Sequence, residues 1–130
     1  TVTKYYENVI NNDVAFITSV WVKNKRLYYL SSHKIFMSPA DRLSPAKMDV
    51  QFPKSGIAVR GNNVNDIFVA NYCGYIYHYN GSTFHRYNEM YNPNRNIVKM
   101  CVKDNTIAIV GWYAQGEFGN DIFIIIGKRT

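Results

Sequence analysis

Apolar residues fall along this chain in short bursts, each closed by Gly, Asn, Asp, Ser or Pro. The middle of the chain shows this most cleanly. Gly56 to Arg60 reads as a strand, Gly61 to Asn65 as a turn and Asp66 to Asn71 as a second strand. Tyr72-Cys73-Gly74 is a tight turn, Tyr75 to Tyr79 a third strand, Asn80-Gly81 a two-residue hairpin signal and Ser82 to Tyr87 a fourth strand. The bursts are too short for helices. Ser38 to Lys47 carries Pro39 and Pro45, and Asn88 to Asn96 carries Pro93, so both read as loops.

The bursts recur. Leu27, Ile67 and Ile107 are spaced by 67 − 27 = 40 and 107 − 67 = 40, and Tyr29, Val69 and Ile109 follow the same step. Ile17, Ile57 and Ile97 also fall into line. The next strand repeats more loosely. Ile35 aligns with Ile76 and then with Ile122, where 122 − 76 = 46, so Tyr113 to Asn120 reads as an insertion. Thr83 to Tyr87 resembles Thr1 to Tyr5, two repeats upstream. A repeat of about 40 residues built from four short strands is the signature of one blade of a β-propeller. The fold expected is all-β and propeller-like: about three four-stranded antiparallel blades over 14–51, 55–88 and 96–127. Residues 1–7 then form the last strand of a preceding or partner blade, and residues 1–130 form a single partial domain.

The middle unit also resembles a bacterial β-propeller repeat. The resemblance rests on Gly61 to Val69, on Ile76-Tyr77-His78-Tyr79-Asn80-Gly81 and on Thr83-Phe84, with Gly127-Lys128-Arg129 similar to the end of such proteins. It covers about 35 residues well and the flanking units weakly. Phe84 stands where that repeat usually has Trp, and Asn71 where it usually has Gly. The resemblance implies a secreted or surface scaffold, hence an extracytoplasmic location, and offers no catalytic residue. Three blades are too few for a closed ring of roughly four to eight. The reading preferred here is the C-terminal part of a larger propeller. The other is that two copies associate into a six-bladed ring, with Thr1 to Tyr6 filling a missing fourth-strand slot. The absence of an initial Met fits a processed chain or a piece of one.

Composition changes this picture little. Aromatics make up 15% of the residues, led by 11 Tyr, which suits half-buried strands. The net charge of +6 permits an acidic partner, but Lys23, Lys25 and Arg26 sit in a turn and no long basic run exists. Nucleic acid is therefore not the expected ligand. Ile122 to Ile126 is far too short to span a membrane. Cys73 and Cys101 fit neither a zinc site nor a redox pair and read as free, half-buried thiols, the alternative being a disulfide between them.

No catalytic triad, phosphate loop or metal-ligand spacing stands out, and no cofactor or metal is expected. His78 reads as a structural histidine that meets His85 across the hairpin, and Asp66 and Asp104 as turn residues. The remaining candidates are ligand- or interface-binding side chains on one rim: Tyr72, Tyr91, Arg95, Trp112, Tyr113, Gln115 and Glu117. Aromatics and Arg anchor interfaces, and aromatics stack on sugars, so the ligand expected is a protein or a glycan. Arg60 and Lys99 are expected to line a central channel. The functional expectation is a non-enzymatic binding scaffold. The alternative is part of a carbohydrate-active lyase or hydrolase whose catalytic groups lie in other blades.

Overall fold

The computed structural model describes residues 17–41, 46–114 and 121–129. The reading of residues 1–7 as a strand lies outside them. Among the described residues, eleven strands form three separate antiparallel sheets, each in simple sequential order. The first contains β1 (Ile17–Lys23), β2 (Arg26–Ser31), β3 (Lys34–Pro39) and β4 (Ala46–Gln51). The second contains β5 (Gly56–Asn63), β6 (Asp66–Asn71), β7 (Ile76–Tyr79) and β8 (Phe84–Tyr87). The third contains β9 (Arg95–Lys103), β10 (Thr106–Tyr113) and β11 (Ile122–Lys128). A 3₁₀ turn, Asn88–Met90, follows β8. The fold is all-β, and among the described residues no helix is long and apolar enough to cross a membrane.

Turn chemistry sets the strand lengths. Asn24 and Lys25 both have positive φ, 50° and 59°, the backbone of a tight two-residue hairpin whose twist matches its strands. Gly81, at φ 99°, turns the chain after Asn80, whose side-chain oxygen accepts from the Ser82 and Thr83 amides, both at 2.9 Å. Asn71, where the resembling repeat has Gly, is fully buried and accepts the Tyr75 amide at 3.0 Å. A carboxamide thereby closes the β6–β7 turn that Gly74, at φ 89°, bends.

Leu27, Ile67 and Ile107 are each the second residue of the second strand in their sheet. Strand three of the last sheet differs from the sequence alignment. Leu30 pairs with Ile35, Ala70 with Ile76, and Val110 with Ile124. The residue equivalent to Ile76 is therefore Ile124 rather than Ile122, and the step is 124 − 76 = 48. The reason is that β10 and β11 run on as a ladder as far as Trp112 and Ile122, so part of the apparent insertion is strand.

Each sheet has two faces, and the period of two assigns its side chains. Tyr28, Leu30 and Ile35 of the first sheet pack against Val59, Ile67 and Val69 of the second. Ala58, Phe68, Ala70 and Ile76, on the second sheet's other face, pack against Ile97, Met100, Ile109 and Phe123 of the third. Sheet two thus has a leading face toward sheet one and a trailing face toward sheet three, and the same names are used for the equivalent faces of sheets one and three. Backbone bonds repeat at the two junctions. The Gly56 amide donates to Ser32 O at 2.8 Å, and the Ile97 amide donates to Tyr72 O at 3.0 Å. The steps, 97 − 56 = 41 and 72 − 32 = 40, are those of the sequence repeat. Near the opposite ends of these strands Asn24 donates to Asn63 at 3.1 Å, and Asn62 exchanges two bonds with the Asp104 backbone at 2.8 and 2.9 Å.

Candidate functional site

Register positions on the first three strands of each sheet can be compared across the three sheets. Ile35 and Ile76 point from the trailing faces of sheets one and two and are 0% and 2% exposed; Ile124, at the same place in sheet three, is 69% exposed. Its neighbours Ile122 and Ile126 are 83% and 67% exposed, and Trp112, opposite Ile122, is 43% exposed. The leading faces give the mirror image. Val59 and Met100 are 0% and 2% exposed, but Val20, their equivalent opposite Tyr29, is 52% exposed. Ile17 and Val22 of β1 are exposed as well, whereas Tyr29 and Phe36 on that face are buried and stacked on each other at 5.3 Å. The trailing face of sheet three therefore turns apolar side chains outward across β10 and β11, whereas on the leading face of sheet one only β1 does so. Isolated exposed apolar residues are ordinary, but a contiguous strip of them marks an interaction surface.

A second feature lies between sheets two and three. Asp66 accepts from His78 Nε2 at 2.7 Å, from Asn62 at 2.8 Å, and from both terminal nitrogens of Arg129, Nη2 to Oδ2 at 3.0 Å. The His78 ring stacks on Phe68 at 4.5 Å, and the Arg129 guanidinium lies 5.6 Å from the same ring. Burial alone pushes the Asp66 carboxyl up. The bonds from Arg129, Asn62 and His78, together with the Arg129 charge, outweigh it and hold the pKa at about 2. A carboxylate so paired stays ionised and cannot exchange a proton near neutrality, so its chemistry is that of an anchor. Asn62 joins Asp66 to the Asp104 backbone, so these two residues are linked through a carboxamide and do not form a carboxylate pair.

Beside this cluster is a cavity of about 360 Å³ lined by Ile76, Tyr87, Met90, Ile107, Ile109 and Arg129. It borders Gly127 and Lys128 of β11, the outermost described strand of sheet three. At the first junction, Phe84 of the fourth strand β8 packs edge-on to Phe52 at 6.1 Å. Among the described residues, sheet three has three strands, and the cavity opens beside the last of them.

The rim residues singled out in the sequence separate into different roles. Tyr72 is exposed, but its backbone carries the junction bond to Ile97. Tyr91 stacks on Tyr75 at 4.1 Å, and Arg86 lies 4.9 Å from the Tyr75 ring, so these aromatics form a local stack. Arg95 donates to Met90 O at 3.3 Å and lies over the Tyr113 and Phe123 rings at 5.9 and 5.6 Å. Trp112 points from the trailing face and its neighbour Tyr113 from the leading face, so adjacent positions that the sequence grouped together are on opposite sides of the sheet. Gln115 and Glu117 lie outside the described residues.

Arg60 bonds Ser19 Oγ and Val20 O, both at 3.2 Å, and Val59 O at 2.6 Å, tying β5 to β1. Lys99 is exposed opposite Val110 and occupies a different repeat position, the one held by Ala58. The structure does not bring Arg60 and Lys99 together as matched groups. His78 and His85 are register partners, but His78 is committed to Asp66. Among the described residues no cluster of three metal-ligating side chains occurs. Both cysteines are free; Cys73 is buried and Cys101 exposed, so neither is half-buried.

The sequence did not reveal the Asp66–His78–Arg129 cluster or the open strip on β11. The register alone exposes the strip, because alternation in Ile122 to Ile126 is invisible when both faces are isoleucine or phenylalanine. No protein-family model matches the chain, and no curated protein does. Two solved structures of computationally designed proteins share its fold. The Ika4 protein superposes with a TM-score of 0.62 at 11% identity, over 89% of this chain and 74% of that one. The Ika8 protein superposes with a TM-score of 0.54 at 11% identity, over 82% of this chain and 35% of that one. The chain thus spans about a third of the Ika8 protein's length, and the row of sheets found here matches only part of either design.

Proposed function

We propose that the three sheets are successive blades of a propeller-like ring, and that the chain is a non-enzymatic scaffold acting by association. The observation that carries this reading is the exposed apolar face around Ile124 of sheet three, whose equivalents Ile35 and Ile76 are buried. Packing that recurs at two junctions supports a radial row, and the exposed apolar strip on β11 offers a surface to a partner. The ionised, fully partnered Asp66 favours association over acid–base catalysis. An extracytoplasmic setting belongs to the same proposal and rests only on the resemblance of residues 61–84 to bacterial propeller repeats.

A protein or glycan ligand on the rim near Tyr72 and Tyr91 fits exposed aromatic side chains. The test is incubation with a panel of acidic and neutral polysaccharides, followed by pull-down and by chromatography of the sugars. The scaffold reading predicts that any polysaccharide retained is recovered intact. Release of shorter or unsaturated sugars would instead establish the carbohydrate-active alternative.

A further inference from the structure

We infer that the trailing face of sheet three docks on the surface of an anionic lipid bilayer. The inference rests on the reading of the chain as a scaffold that acts by association, and adds the chemistry of the partner. The face carries an apolar strip with a cationic border. Trp112 and Ile122, Val110 and Ile124, and Ala108 and Ile126 are opposed pairs of β10 and β11, so their side chains form one strip along the sheet. Ile122, Ile124, Ile126 and Trp112 present roughly 500 Å² of apolar surface, at the upper end of what a monomer ordinarily leaves bare. Lys99 and Lys103 of β9 stand on the same face, opposite Val110 and Thr106, and Lys128 of β11 stands on the other side of Thr106. All three lysines are exposed. The three strands of sheet three contain no Asp or Glu.

Register positions show how this face differs from the two that pack. Ser19, Ala58 and Lys99 share one position, opposite Leu30, Ala70 and Val110. Ser19 Oγ takes the Val59 amide across the first junction at 3.1 Å, and Ala58 is buried in the second. A sheet seated in the same way on sheet three would bury the Lys99 ammonium, a cost that the small residues do not incur. Two copies placed face to face would set three lysines against three. A protein partner makes about one hydrogen bond per 100–200 Å² of contact, whereas Ala108, Val110, Ile124 and Ile126 offer no side-chain donor or acceptor. A bilayer needs none. Aliphatic side chains enter the boundary between headgroups and acyl chains, the Trp112 ring lies at that level, and the lysines reach lipid phosphates. The net charge of +6 draws the chain to such a surface, on which it lies without spanning the membrane.

The experiment is co-sedimentation of the 130-residue chain with vesicles of phosphatidylcholine alone and of phosphatidylcholine mixed equally with phosphatidylglycerol, in about 0.1 M salt. The variants are Ile124→Asp, Lys99→Gln, Lys103→Gln and Lys128→Gln, with Lys54→Gln as a charge control away from the face, and their folding is checked by far-UV circular dichroism. All five side chains are exposed, so no change strikes the core. Expected are binding to the anionic vesicles only, its loss in Ile124→Asp, a fall in partitioning of roughly fivefold for each lysine of the face, and little change for Lys54→Gln. Equal binding to both vesicles, or binding that survives Ile124→Asp, overturns the inference. So does the absence of vesicle binding; retention of the chain on immobilised polyglutamate, lost in Ile124→Asp, then assigns the face to an acidic protein partner. A dye probe for apolar surface separates the two levels of failure. Without vesicle binding, dye binding that is lost in Ile124→Asp refutes the bilayer alone, and no dye binding also refutes the interaction surface.

Discussion

Truncating the same isoleucine in each of the three sheets gives unequal costs that the structure fixes in advance. Ile35, Ile76 and Ile124 occupy one repeat position opposite Leu30, Ala70 and Val110. Ile35 and Ile76 are enclosed by the junctions, so Ile→Ala removes three buried carbons and leaves a cavity, a loss of about 2–5 kcal/mol. Ile124 is mostly in water, and its truncation removes mainly strand propensity, below about 1 kcal/mol. The assay is urea unfolding followed by circular dichroism, with ΔG extrapolated for wild type and the three variants at high dilution, where chains are single. An Ile124→Ala cost equal to that of Ile76→Ala at high dilution would refute the reasoning, as would an Ile76→Ala cost below 1 kcal/mol.

Three further outcomes are expected. An added methyl at Gly111 would sit 2.0 Å from Asn96 O, so Gly111→Ala costs at least about 1–3 kcal/mol, whereas Gly127→Ala, with no atom within 4 Å, is near neutral in the same unfolding assay. Asp66 has its pKa depressed from 3.8 to about 2, so its pairing stabilises the fold above pH 4 and is lost as pH falls toward 2. Discounted for partial solvent screening, the loss is about 1–2 kcal/mol, and Asp66→Asn should flatten that part of the acid unfolding profile. Cys101 is exposed opposite Ala108 and Cys73 is buried, so maleimide should label the Cys101 thiol quickly in the folded chain and Cys73 only on unfolding, read by mass spectrometry.

The strands and turns of this chain are legible in its sequence because local chemistry determines them. Asn80-Gly81, Cys73-Gly74 and the apolar bursts between them mark β6, β7 and β8 with little ambiguity. The third unit is less legible. Its turn lacks a sharp signal and both faces of β11 are apolar, so register decides what the sequence leaves open. The Asp66 cluster is hidden for a different reason: Arg129 lies 63 residues away and reaches Asp66 only once sheet three stacks on sheet two. Trp112 and Tyr113 show how adjacency misleads, since the pleat sends neighbours to opposite faces.

The repeated junction is tested most directly by amide hydrogen exchange at Gly56 and Ile97. Their N–H groups donate across the first and second junctions, to Ser32 and Tyr72 respectively. The structure predicts that both amides are protected and that they exchange at comparable rates at high dilution. Exchange of either one at the rate of an unstructured peptide would contradict the stacking of equivalent sheets.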